Sequence, residues 1–482
     1  MPISGAGPRA AEATGRCGIA LAVMLGTTAV VLATTIVNVV MPDIMRDFSV
    51  GQGRVQWLST GFLSAMAATM LTTAWWVRTY GLRRTYTVAL LIFVAVSLVG
   101  GFSSSIDELI LSRIAQGAIA GVIQPLAMIA LFEVYPPEKR GSAMAAYGLG
   151  VVLSPAIGPA LGGLLGQLFG WRAVFFVTLP LCLAGLALAP SRLSCFARGE
   201  ARRPAFDGLG FLLLCAFLSF VLGGLTQAQH QDLSQAGLAL VVTGTLLCGA
   251  AFVAWELRRS QPMFDPRVFR DPVFAAAAAV GFAYGMGLYG STFLVPLFVQ
   301  TISGFSVMDA GILLLPGGLL LALCIPLAGR LTDRHSPHYI VCAGLVCLAL
   351  SFLLFANSSA HTGFWVLAAW IALGRLGLAM MIPALNAGAM LGLPLAQITQ
   401  GAAVLNFVRQ LGGAFGTSLL SLLLQWRLTV HQNEMAVAVD TAVPAPEAAT
   451  RAFDESFVAI GLVFLAALWP GWRIRRADTT NN

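Results

Sequence analysis

The chain has 482 residues, of which 58% are hydrophobic and only 10% charged, with a mean hydropathy of +0.83 and a formal net charge of +7. That composition excludes a soluble globular domain and defines an integral membrane protein. The positive charge does not point to nucleic acid, because the arginines sit in short segments between apolar runs and form no extended basic, aromatic-interleaved patch.

In chain order, a small, polar tail over 1–16 precedes apolar runs at roughly 17–40, 55–77, 85–105, 106–132, 142–166, 173–190, 208–226, 236–256, 273–300, 309–329, 338–357, 362–391, 400–424 and 455–471. Each is about long enough to cross a hydrocarbon layer as a helix of roughly 20 residues. The expected fold is therefore an all-α polytopic membrane protein with fourteen spans. The first run continues into TTIVNVVMPDI without a small-residue cleavage signal and reads as a retained span. Eight cysteines without a CxxC pair read as buried free thiols, so neither a disulfide framework nor a metal site is expected. The stretch from Gln425 to Glu455 is polar and is expected to be a weakly structured outer loop.

Placing the N-terminus in the cytoplasm puts twenty Lys and Arg residues on that side, five on the other and three (Arg113, Arg375, Arg409) within spans. The bias obeys the positive-inside rule and predicts that both termini are cytoplasmic, in a cell (inner or plasma) membrane. Phe48 to Gly81 (FSVGQGRVQWLSTGFL, then AWWVRTYG) is echoed from Phe305 to Ser336 (FSVMDAGILLLPGGLL, then GRLTDRHS). Repeats in the same direction suggest two six-helix bundles around a cavity. The expected organisation is a tail over 1–16, an N-terminal bundle over 17–190, a linker over 191–207, an inserted helix pair with its following loop over 208–271, a C-terminal bundle over 272–472 and a tail over 473–482.

No nucleophile–base pair, phosphate-cradling loop or metal-ligand cluster stands out, so neither an enzyme nor a cofactor is expected. What remains is polar residues inside apolar helices, the way a pore or carrier displays its site. Foremost is Arg113 in LILSRIAQGAIAGVIQPLAMIALF, sharing a helical face with Gln116, Gly117 and Gly121. An ionisable side chain within a span is costly unless it faces protein or water, so Arg113 marks either a substrate or coupling site or a helix lock made with carbonyls or with Asp107 and Glu108. Asn38, Gln124, Arg375, Asn386, Asn406 and Arg409 complete the substrate or coupling candidates. In RQLGGAFG, Gly412, Gly413 and Gly416 permit close helix approach. GPALGG, with Gly158, Pro159, Gly162 and Gly163, reads as a kink or flexing point. VRTYGLRR (Arg78, Gly81, Arg83, Arg84) and GRLTDRHS (Asp333, Arg334) read as cytoplasmic gating loops, or as segments that merely obey the charge rule. All acidic residues fall in loops or at span ends, Asp207 and Glu256 among them, so no mid-membrane carboxylate is on hand to carry a proton.

LATTIVNVVMPDI, VRTYGLRR, LSRIAQG, SPAIGPALGG, GWRAVFFVTLP, FLVPLFVQTISGFSVMDAGILLLPGG with AGRLTDR, and NFVRQLGGAFG follow one another in this order. Together they resemble the motif series of the major facilitator superfamily, specifically the fourteen-helix drug:proton antiporters of the EmrB/QacA type. The resemblance implies export of amphipathic or cationic compounds by alternating access driven by proton influx. It implies small-molecule and proton partners in the lipid bilayer, and in a two-membrane cell it allows a periplasmic adaptor protein. By the same resemblance Arg113 is the coupling-linked arginine, GPALGG the antiporter kink, and Gly81, Arg83 and Asp333 gating positions. Two departures stand out: Ala33 occupies the position where the first-span motif usually has an acid, and Ser336 replaces a glycine of the second loop. With no mid-membrane acid accompanying Arg113, Arg375 and Arg409, neutral or anionic substrates stay open beside cationic ones, as does a dedicated metabolite exporter. A non-transporting receptor or assembly partner is the reading from another class.

Overall fold

The computed structural model describes residues 8–192, 205–229, 234–259, 262–359, 361–438 and 446–475. Residues 1–7, most of the expected linker (193–204) and the end of the C-terminal tail (476–482) lie outside them. The described residues form helices and no strand.

Among the described residues seventeen α-helices cover the apolar runs. They are α1 (Pro8–Phe48), α2 (Gln52–Val55), α3 (Trp57–Met70), α4 (Thr73–Tyr80), α5 (Leu82–Gly101), α6 (Ile106–Val134), α7 (Arg140–Phe169), α8 (Ala173–Phe176) and α9 (Thr178–Arg192). Then follow α10 (Gly208–Gln229), α11 (Gln235–Arg258), α12 (Pro272–Thr301), α13 (Val307–Arg334), α14 (Pro337–Phe355), α15 (Phe364–Ala389), α16 (Leu395–Ala438) and α17 (Pro446–Trp472). Among the described residues eleven helices are long and apolar enough to cross a membrane, and shorter apolar helices occur at Ala160–Phe169 and Ala173–Ala189. The second expected span is interrupted between α3 and α4, and the sixth between α8 and α9.

Local chemistry sets several of these ends. Ser105 caps α6 by accepting from the Glu108 amide, while Glu108 accepts in return from Ser104. Ser306 and Asp309 form a full capping box at the start of α13. Gly81, at φ 78°, makes the whole link between α4 and α5, a backbone angle that glycine adopts without steric cost.

The chain divides into two units. The first comprises 1–218, 249–266 and 394–406; the second comprises 219–248, 267–393 and 407–482. In the first, α1 lies against α6, α7 and α9, and α3 against α6. Leu32, Ile36, Val40 and Ile44 recur every four residues on α1 and meet Leu58, Leu109, Trp171 and Phe175 in a buried core. In the second, α15 packs on α13 and α14, and α17 on α12 and α14. Phe298, Phe355 and Phe457 meet there with ring centroids 5.2–6.1 Å apart. The helices α10 and α11 touch through Gly224 against Val241 and Gly244 against Phe220, yet only 28% and 11% of their apolar windows are buried. That exposure suits a pair whose remaining faces meet lipid.

Two sequence expectations fail here. Most of Gln425–Glu455 is helix and not a weakly structured loop: α16 continues to Ala438 and α17 begins at Pro446, while 439–445 lies outside the described residues. No Gly or Pro interrupts the chain between Gln425 and Pro444, and Arg427 ties the extension to Glu455 on α17, with His431 beside both. The gating loops are likewise mostly helix. Arg78 lies in the last turn of α4, Arg83 and Arg84 in the first turn of α5, and Asp333 and Arg334 end α13.

Candidate functional site

In the first unit the site is built on α6. Gly117 and Gly121 face α3 so closely that a Cβ on either would overlap the backbone carbonyl of Phe62 or Met66. Arg113 sits one turn earlier on this seam and is fully buried. Its Nε donates to the Leu58 carbonyl at 3.0 Å, its Nη1 donates to Gln116 Oε1 at 3.0 Å, and its guanidinium lies 4.2 Å from the centroid of Phe62. Gln116 passes the network on by donating to Ser97 Oγ on α5 at 2.8 Å. Arg113 therefore ties three helices together through a carbonyl and an amide.

The expected alternative partners are engaged elsewhere. Asp107 pairs with Arg54, and Glu108 with Ser104. They precede Arg113 by six and five residues, whereas helical neighbours stand three or four apart.

Asn406 joins the same unit. It accepts from Tyr147 Oη at 2.6 Å and donates to the Ala402 carbonyl at 2.8 Å. Asn38 is exposed and accepts from Ser59. Gln124 is buried and its Oε1 has no partner among the described residues. Gly158 and Gly162 press α7 onto Thr35 and Ile36 of α1, and a Cβ added at Gly163 would come 3.6 Å from Val39 Cγ1, within an unbroken helix from Arg140 to Phe169. The side chain of Pro159 lies outside the described residues. Ala33 is buried, so no acid enters at that position.

In the second unit, Arg375 on α15 lines a small cavity with Ser291, Leu348, Ser351, Phe352 and Phe355. Its guanidinium makes no hydrogen bond or ion pair among the described residues, and Tyr284 is its electrostatic neighbour. Asn386 is completely buried, and neither its Oδ1 nor its Nδ2 finds a partner there. Leaving a buried polar group without its hydrogen bonds costs about 1–3 kcal/mol. Arg409 is buried where α16 meets α12, and Gly412 and Gly416 bring α16 onto Phe282 and Met286. The close approach expected of RQLGGAFG is present.

Several polar groups escaped the sequence reading. Arg113 to Gln124 and Arg375 to Asn386 share a spacing of eleven residues, about three helical turns, so each arginine has an amide on its own face. This parallel was legible but went unread. Tyr147, Ser97 and Ser351 are buried partners whose role depends on helix contacts that no local pattern shows. Asp207 and Glu256 stand at span ends as expected, but both are buried over Gly210, and Trp255 Nε1 donates to Asp207 at 2.9 Å. Glu256 accepts from the Phe264 amide on Oε2, while its Oε1 has no partner among the described residues.

Polar side chains spaced through apolar, membrane-length helices define a polytopic helical membrane protein. The sequence profile of the Major Facilitator Superfamily matches residues 23–417, and the chain belongs to that superfamily. It is 31% identical to the multidrug resistance protein B homolog of Mycobacterium tuberculosis, over 86% of this chain and 77% of the relative. It is 28% identical to the multidrug export protein EmrB of Haemophilus influenzae, over 88% of this chain and 84% of the relative. Among solved structures, the proton:xylose symporter XylE superposes with a TM-score of 0.63 at 14% identity, covering 96% of each chain.

Proposed function

We propose that this major facilitator transporter exports small amphipathic molecules by alternating access, driven by proton influx. The observation that carries this reading is the likeness to named multidrug exporters, which extends over most of both chains. Buried polar groups without partners, Gln124 Oε1 and the Asn386 amide, support it, because such groups gain hydrogen bonds when a polar ligand or water enters. In this reading two bundles, 17–190 and 272–472, move against each other while 208–271 is an insertion, and both termini are cytoplasmic. The tight seam of GPALGG on α1 is a flexing point, and the arginine-rich helix ends around Gly81 and Asp333 latch one state. A periplasmic adaptor is the further partner in a two-membrane cell.

The test is accumulation of a panel of dyes and antibiotics in cells with and without the protein, at two external pH values. Export predicts lower accumulation in expressing cells, and proton drive predicts stronger efflux at the lower external pH. Efflux that ignores pH removes the antiport component, and unchanged accumulation across the panel removes multidrug export.

A further inference from the structure

We infer that Arg375 is the anion-binding group of this transporter, and that the ligand it takes is an amphipathic carboxylate. The inference rests on the transport reading only in calling that ligand a substrate.

The two arginines of α6 and α15 differ in how many protein groups meet them. Arg113 donates to a carbonyl and to an amide oxygen and lies on an aromatic face, with Nη2 alone lacking a hydrogen-bond partner among the described residues. Arg375 makes no hydrogen bond or ion pair among the described residues, has Tyr284 as its electrostatic neighbour, and lines a cavity. A permanently charged guanidinium within a membrane-length helix is stable only with a counter-charge, carbonyls or water. No described carboxylate lines this cavity.

The cavity wall leaves the guanidinium as its donor. Ser351 Oγ donates to the Trp370 carbonyl at 2.7 Å and Ser291 Oγ donates to the Leu288 carbonyl at 3.0 Å, so both hydroxyl protons are committed to backbone. The planar guanidinium fork matches a carboxylate through two parallel hydrogen bonds, a geometry that a halide cannot reproduce. The other walls, Leu314, Leu348, Phe352, Phe355, Ile371 and Leu378, are apolar and suit a hydrocarbon or aromatic tail. Gly317 and Gly374 keep α13 and α14 close: a Cβ on Gly317 would come 3.0 Å from Arg375 Cγ, and one on Gly374 2.7 Å from Ser351 Oγ.

The space measures about 20 Å³, where a single water needs about 10–15 Å³. It admits a head group but not a tail. Full occupancy therefore needs α13 or α14 to give way, as a carrier that closes around its ligand requires.

The experiment uses the purified full chain in nanodiscs, with octanoate, octan-1-ol and octylamine as probes. Binding is followed by intrinsic tryptophan fluorescence, since Trp370 stacks edge-on against the cavity residue Phe355 at 5.6 Å. Octanoate is expected to bind more tightly than the neutral and cationic probes. Arg375→Gln is expected to weaken octanoate by about tenfold or more, the loss of a bidentate charged pair, while leaving octan-1-ol unchanged. Arg375→Lys keeps the charge without the fork and should weaken octanoate by a smaller factor; it carries the test alone if the glutamine variant does not fold. Acetate should displace octanoate better than chloride does. An unchanged octanoate affinity in both variants, an equal loss for all three probes, or equal displacement by chloride overturns the inference. Binding is read at equilibrium, so its failure is separate from a failure of efflux in cells.

Discussion

Removing Arg113 exposes what a buried arginine does when a backbone carbonyl and a neighbouring amide are its partners. Arg113→Ala strands the Leu58 carbonyl and Gln116 Oε1 and leaves a void under Phe62. Each stranded buried group costs about 1–3 kcal/mol, before any cavity term. The expected result is a clear fall in melting temperature, with transport lost in proportion to folded protein. Arg113→Lys, able to keep one of the two bonds, should fall between. Normal stability with abolished transport would return Arg113 to a role in ligand or proton handling. The sequence marks Arg113 and Arg375 alike as intramembrane charges. It cannot tell them apart, because the difference lies in which carbonyl and which glycine from a distant helix arrives beside each.

At the scale of the helix, small residues decide the seams. Gly412→Ala places a methyl on the Phe282 carbonyl and, in a joint already in contact, should destabilise by about 1–3 kcal/mol with no direct effect on ligand binding. Ser306→Ala opens the capping box of α13 and should cost about 1 kcal/mol, whereas Ser306→Asp should be tolerated. Thermal unfolding of the purified variants reads both. Helix placement was largely legible, since apolar runs, capping serines and the glycines of RQLGGAFG are local signals. The extension of α16 to Ala438 was missed because hydropathy reports where a helix meets water, not where it ends. The chain there lacks Gly and Pro, and Arg427 and Glu455 hold it against α17. Arg78, Asp333 and Arg334 were likewise read as loop because charge ends a hydrophobic run before the backbone leaves the helix.

For the whole molecule, the ordered motif series and the internal repeat were enough to place the chain in its superfamily, while the identity of the buried partners was not readable in advance. Tyr147 with Asn406, and Asp207 with Trp255, bring together residues 259 and 48 positions apart. Pairing at such separations follows from tertiary packing, which no periodicity encodes. Solute counterflow decides whether this fold carries solutes by alternating exposure of one site. Proteoliposomes preloaded with an unlabelled exported compound are diluted into a trace of the same compound labelled, with no ion gradient. Alternating access gives a transient accumulation of label above equilibrium that vanishes without the protein. Label that only equilibrates, or never enters, would contradict it.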